Sequence, residues 1–302
     1  MTDTQTRVLI LGGSGMLGHK LWLVFKNRFD TYVTLRQPLE KQANLNLFDP
    51  ARTFDNIDVK NTDSLTEVLQ KIRPTVMINC IGVVKQLPEA KDPIISIKIN
   101  SLLPHELEKL AIKFGTKLIH ISTDCIFEGG KGNYTEEEPY RADDLYGLTK
   151  LLGEVSNPPS LTLRTSIIGR ELVRQMGLLE WFLQRKPGEQ VKGFTHALFS
   201  GFTTQVLAET LAWIIQSHRH LTGIYHLSSF PISKHDLLKK LQKVFNLDID
   251  LIPFDDFHCD RSLNGSRFNI ATGFVPPSWD QMVQGLKAED SFYREISHAA
   301  GR

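Results

Sequence analysis

The stretch Tyr146-Gly147-Leu148-Thr149-Lys150 puts a phenol and an amine four residues apart inside a helical pattern, so both side chains leave one face of the helix. A phenol of pKa about 10 is a poor acid or base at neutral pH. A neighbouring ammonium favours the phenolate and lowers that value, which makes proton exchange with a substrate feasible. The spacing alone occurs by chance in many helices. Upstream, Leu118-Ile119-His120-Ile121 ends in Ser122-Thr123-Asp124, which sets hydroxyls at the carboxyl end of a strand, where open α/β sheets bind ligands. Thr123 could polarise a substrate carbonyl there, or simply cap a turn. The third feature is Gly12-Gly13-Ser14-Gly15-Met16-Leu17-Gly18, directly after an apolar strand and before an amphipathic helix. Gly12 permits a tight turn, Gly15 lets backbone N–H groups approach a pyrophosphate, and Gly18 allows close packing of helix on strand, with Ser14, Met16 and Leu17 between them. Glycine also marks plain turns, and it is the placement between strand and helix that favours a nucleotide site.

The elements that must position these groups follow from apolar periodicity. Strands are expected at Arg7 to Leu11, Tyr32 to Leu35, Thr75 to Ile81, Lys117 to Ser122 and Leu161 to Thr165, alternating with helical stretches at Leu17 to Phe25, Ser64 to Ile72, Ser96 to Phe114 and Leu145 to Val155. This alternation predicts an α/β fold with a doubly wound parallel sheet. Thr75 to Ile81, apolar on both faces apart from Asn79, reads as a central strand. After Thr165 the pattern is irregular, with a helix expected over Thr204 to Gln216, a strand over Gly223 to Leu227, a helix over Lys234 to Phe245, a short strand over Ile249 to Pro253 and a helix near Trp279 to Lys287. The expected division is a dinucleotide-binding domain over residues 1–165, rejoined by 202–230, and a smaller substrate-binding lobe from 166–201 and 231–302, with a crevice between them.

The second strand runs into Arg36, where an NAD-selective site would place an acid for the ribose 2′-hydroxyl. A guanidinium there suits the 2′-phosphate of NADPH, or is a solvated surface arginine. Asp58 and Val59, after a short expected strand, could meet the adenine edge.

The 302 residues, 41% hydrophobic and 23% charged, are too apolar for a disordered chain, and the formal charge of +1 provides no global field for nucleic acid or an anionic membrane. The longest uncharged run, Pro74 to Val84, is too short to span a bilayer, and the N-terminus lacks a signal-peptide layout. Three scattered cysteines suit a reducing compartment, so a cytoplasmic protein is expected. The ten histidines show no ligand spacing, and no metal site is expected. The glycine run fails the G-x-S-x-G spacing of a hydrolase elbow. The acidic residues Glu136 to Glu138, Asp143 and Asp144 read as a solvated loop face, and Trp181 and Phe182 as core or sugar-stacking residues.

In this order the glycine turn, Ser122-Thr123-Asp124 and Tyr146-x-x-x-Lys150 resemble the extended short-chain dehydrogenase/reductases, and more finely the dTDP-4-dehydrorhamnose reductase family. The finer likeness rests on Ser122 to Gly129, Leu145 to Glu154, Leu163 to Ser166, Gly223 to Leu227 and Asn264 to Asn269, so it covers nearly the whole chain. It implies a Rossmann-type fold and reduction of a keto group on a nucleotide-linked sugar by NADPH, or else NADH, in surface polysaccharide or related glycan biosynthesis. It also implies that Thr123, Tyr146 and Lys150 are catalytic. Cys80, Ile81, Gly82 and Thr165 would flank the cofactor, and Asn100 would support Lys150 and a bound water. Cys125 stands where these reductases have an aromatic, and Ile81 to Lys85 departs from their Ala-rich segment, so Cys125 and Lys85 are expected to face the substrate. For a substrate diphosphate the candidate cations are Arg164, Arg170, Lys192, Arg261 and Arg267. A homodimer is possible. The regulatory subunit of methionine adenosyltransferase also resembles this family, so a dinucleotide-binding subunit without turnover is the rival expectation. A sugar-nucleotide epimerase or dehydratase is the third.

Overall fold

Strand β1 (Asp3–Leu11) sends Val8 and Ile10 into one hydrophobic core and Leu9 and Leu11 into another, the period of two that a strand buried on both faces must show. The computed structural model describes residues 3–172 and 175–299; positions 1–2, 173–174 and 300–302 of the expected domains lie outside the described residues. From β1 the chain continues through α1 (Met16–Phe25), β2 (Phe29–Thr34), β3 (Thr53–Phe54), α2 (Thr62–Ile72) and β4 (Val76–Asn79). The next helical stretch is α3 (Pro93–Ser96), a π-helical turn at Ile97–Leu102 and α4 (Leu103–Phe114), one continuous run where the periodicity predicts a single helix. Then come β5 (Lys117–Thr123), α5 (Leu145–Leu152), β6 (Leu161–Thr165), β7 (Ile167–Ile168), α6 (Leu178–Leu183), β8 (Glu189–Phe199), β9 (Phe202–Thr203), α7 (Thr204–Ser217) and β10 (Gly223–His226). The chain closes with β11 (Ile232–Ser233), α8 (Lys234–Phe245), β12 (Ile249–Asp260), α9 (Ser266–Thr272), α10 (Trp279–Ala288) and α11 (Asp290–Ala299).

Seven strands form one sheet in the order β10-β6-β5-β4-β1-β2-β3, all parallel, a doubly wound Rossmann-type arrangement. The larger core, holding Trp22 of α1 and Leu207, Leu211 and Ile215 of α7, lies on one face; the other core holds Leu65 and Leu69 of α2 and Leu103 and Leu107 of α4. The strand order reverses between β1 and β4, and this opens a crevice at their carboxyl ends.

A second sheet, β11-β8-β12, is built by the later chain, with α8 packed on β8. Strand β12 runs from Ile249 to Asp260, well past the expected end at Pro253. Its distal part is held by parallel pairing of His258, Cys259 and Asp260 with β8, and a bulge separates that part from the start. Phe182 is fully buried, which makes it core, while Trp181 packs half-buried beneath Arg185. Among the described residues no helix is long and apolar enough to cross a membrane.

Candidate active site

The turn from β1 into α1 begins at Gly12, whose φ of +83° lies in the left-handed region that an L side chain avoids. A Cβ on Gly18 would sit 2.1 Å from the Gly12 carbonyl oxygen, so only hydrogen lets the helix close on the strand. At Gly15 the nearest atom to such a Cβ is 3.4 Å away, which leaves that side of the turn open. No side chain caps α1, and among the described residues the N–H groups of Met16, Leu17 and Gly18 have no partner. Free N–H groups at the positive end of a helix, over an open glycine turn, are a fit cradle for a pyrophosphate. Across the switch point, Cys80 donates its N–H to the Leu11 carbonyl and Ile81 packs against Gly12. Gly82 is exposed beside them. Arg36 is exposed just past β2, Asp58 is exposed with its carboxylate on the Lys60 N–H, and Val59 is buried in the core under β1.

Strand β5 ends at Thr123, and Asp144 at the N-cap of α5 accepts from the Gly147 N–H, fixing the helix that carries Tyr146 and Lys150. The Thr123 hydroxyl accepts from the Cys125 N–H at 3.2 Å and donates to Asp124 at 3.1 Å, so it caps the turn after β5 while standing beside the Tyr146 phenol. Burial, with the Cys125 thiol next in weight, drives the phenol's pKa up. This corrects the expected lowering by Lys150. The two residues share a helix face by their spacing, but the ammonium donates to the Ile121 carbonyl at 2.7 Å and stands 3.5 Å from His120 Nε2. Burial lowers Lys150 to about 8, partly offset by Glu154 and Cys80. The protein thus holds a protonated phenol beside a hydroxyl and a buried amine, the parts of a proton donor for a ketone oxygen.

Asn100 occupies the π-helical turn, fully enclosed. It accepts from the Val83 N–H and donates to the Val83 carbonyl and the Thr149 hydroxyl. It has no bond to Lys150. Asn100 pins the loop after β4 to α5, and the Ile121 carbonyl takes the ammonium directly. Thr165 ends β6 next to Thr123 in register, buried.

Lys85 lies 5.6 Å over the Tyr146 ring and pairs with Asp144 at 2.5 Å; burial works against its charge, but Asp144 outweighs it and raises the pKa. Arg261 donates to the Phe127 carbonyl at 2.7 Å and to Asp143, with Cys125 among the groups that raise its pKa against burial. Cys125, pushed up to about 11 by burial, is a neutral thiol among Thr123, Lys85 and Arg261. Arg267 pairs with Glu136 and Glu137. Asp143, Asp144, Glu136 and Glu137 therefore neutralise cations; Glu137 and Asp143 stay exposed, as expected of a solvated face, while the Glu136 side chain is buried. Arg170 is corrected as a substrate ligand: it is buried, with one end on Glu180 and the other on Asp290. Arg164 is likewise taken by Glu154, and Lys192 stacks on Phe254.

Sequence reasoning missed Glu154, His120, and the far wall of the cleft. Glu154 accepts from Ser122 and Arg164 at once, and its signal was a lone acid following the helix that bears Lys150. His120 Nδ1 accepts from Asn79, so its other ring nitrogen faces Lys150. Leu87, Pro88 and Glu89 face Met176 across a cleft, and Gly177 packs on Met16 at the phosphate turn, contacts no periodicity encodes.

The family model described as RmlD substrate binding domain matches residues 6–284. The chain is similar to a dTDP-4-dehydrorhamnose reductase of Aggregatibacter actinomycetemcomitans, 25% identical over 312 residues that cover 94% of this chain and 99% of that protein. It is also similar to methionine adenosyltransferase 2 subunit beta of Danio rerio, 26% identical over 264 residues, 83% of this chain and 77% of the relative. Among solved structures, the Bacillus anthracis dTDP-4-dehydrorhamnose reductase in complex with NADP superposes with a TM-score of 0.73 at 23% identity, covering 94% of this chain and 99% of that one, a likeness of fold.

Proposed function

Because the chain belongs to the RmlD substrate-binding-domain family, we propose that it is an NAD(P)H-dependent oxidoreductase that reduces the keto group of a nucleotide-linked deoxysugar, as its dTDP-4-dehydrorhamnose reductase relatives are named for doing. The observation that carries this is the convergence of Thr123, Tyr146 and Lys150 on the crevice beside the glycine turn. The turn from Gly12 to Gly18 would hold the dinucleotide's pyrophosphate, and Arg36 is free to meet a 2′-phosphate. The cofactor, when bound, supplies hydride. Thr123 orients the ketone oxygen by hydrogen bonding, and Tyr146 gives it a proton. Lys150 steadies the resulting tyrosinate and binds the nicotinamide ribose. Lys85 and Arg261, with Cys125 between them, are the groups placed to hold the sugar nucleotide.

Consumption of NADPH and NADH against a panel of nucleotide 4-ketosugars, including dTDP-4-dehydrorhamnose, tests this reading. Oxidation is expected with at least one sugar, NADPH being used in preference. Tight cofactor binding with no oxidation of any of them would favour the non-catalytic reading that the subunit-beta likeness represents.

Lys150 gives a pH dependence with a definite sign. Its folded value of about 8 is below the ordinary lysine value, so the ammonium is present below pH 8 and lost above it. The grip on ribose and on tyrosinate needs that charge, so kcat/KM should decline through about pH 8 while the protein remains folded. A pH–rate profile flat to pH 9.5 would remove Lys150 from the proton-transfer apparatus.

A further inference from the structure

Gly15, at the start of α1, has a carbonyl that receives two hydrogen bonds. One comes from the His19 N–H at 3.1 Å, as any helix provides, and a second from His19 Nδ1 at 2.8 Å. His19 is fully buried, and burial drives its pKa down to about 3, so the ring is neutral; with Nδ1 donating, Nε2 must accept. Its partner there is the Tyr293 hydroxyl of α11, at 2.7 Å. The Tyr293 ring is gripped from two sides, with Lys20 Nζ 5.0 Å and the Arg170 guanidinium 5.1 Å from its centre. Lys20 is itself buried on Glu289, and Arg170 binds Asp290, one turn before Tyr293. From Arg170 the connections continue to the cleft wall: Glu180 accepts from both Arg170 and the Glu171 N–H, and the Glu171 carboxylate accepts from the Met176 and Gly177 N–H groups.

A peptide unit is planar, so a carbonyl fixed on one side fixes the N–H on the other. The N–H that shares a plane with the Gly15 carbonyl belongs to Met16, the first free donor of α1. We propose that Tyr293 is a positioning residue for the phosphate-binding turn: through His19 it sets the Gly15–Met16 peptide, and through Arg170 it ties that turn to Glu171 and Gly177, next to Met176, which faces Leu87 across the cleft. The C-terminal helix then acts as a clasp behind the cofactor cradle, which explains why four charged groups, Lys20, Arg170, Glu180 and Asp290, are buried far from the tyrosine and lysine of the reaction. The inference rests on the proposed dinucleotide site for its ligand, but not for its geometry.

Two measurements test it. Tyr293→Phe, which keeps the ring and removes the hydroxyl, should raise the NADPH Kd in a fluorescence titration by about fivefold. It should also speed amide exchange in the ligand-free protein at residues 12–18, leaving α4 unchanged. His19→Asn, whose amide can take over the donation made by Nδ1, should be milder in both than His19→Leu. Unchanged exchange at residues 12–18, or faster exchange spread equally over α4, would overturn the proposal, as would an unchanged Kd in Tyr293→Phe when the wild type binds. Failure of the wild-type protein to bind NADPH or NADH would instead overturn the dinucleotide reading, and the exchange result would still decide the role of Tyr293.

Discussion

Tyr146→Phe should lower turnover by about 10² or more and leave the Kd for NADPH nearly unchanged. The variant keeps the ring that packs beneath Lys85 and loses only the hydroxyl beside Thr123. Because burial holds the phenol protonated, the group lost is a proton donor positioned for the ketone oxygen. Single-turnover oxidation of bound NADPH by the best sugar of the panel measures the effect without interference from product release. Turnover within twofold of wild type would take Tyr146 out of the chemistry. A raised Kd with unchanged single-turnover rate would make it a binding residue instead.

Arg164→Leu should cost about 3–5 kcal/mol of stability, because it leaves Glu154 charged and buried without its partner. The guanidinium is wholly enclosed, donates at 2.9 and 2.7 Å to the two carboxylate oxygens and reaches His226 at 3.1 Å. Burial opposes its charge, and the bonds to Glu154 more than restore it, so its pKa is raised. The pair ties Glu154, two residues past the end of α5, to β6, and with it the helix that carries Tyr146 and Lys150. Thermal unfolding should shift down by on the order of 10 °C. The double variant with Glu154→Leu should recover much of the loss, since a buried ion pair replaced on both sides is often close to neutral. If the single variant unfolds like wild type and only the KM for the nucleotide sugar rises, Arg164 belongs to the substrate after all.

The fold class was legible because a parallel sheet covered on both faces needs continuous apolar strands between amphipathic helices, and residues 7–165 carry that alternation. The glycine turn was legible for a related reason: its spacing answers a local steric demand, visible at Gly12 and Gly18, that no other residue meets. Tyr146 and Lys150 were found by helical spacing, which is also local. The later elements were harder. Glu189–Phe199 mixes Gly193 with polar residues and becomes a strand through its partners, and the distal half of β12 has no apolar period of its own.

Charge is where sequence reasoning failed most. Arg164, Arg170 and Arg267 looked like equivalent anion-binding cations, yet Glu154, Glu180 with Asp290, and Glu136 with Glu137 claim them. Asn100 is consumed by Val83, 17 residues away, and the phenol's pKa is set by burial, not by the lysine on its own helix. What the amino-acid order determined by itself was every feature governed by neighbours within a turn or a strand: the alternation of elements, the glycine cradle and the shared face of Tyr146 and Lys150. Which ion finds which counterion, how deeply a phenol is buried, and which carbonyl holds an ammonium were decided only by tertiary packing, because electrostatic energy depends on distance and solvent exposure, neither of which a linear spacing contains.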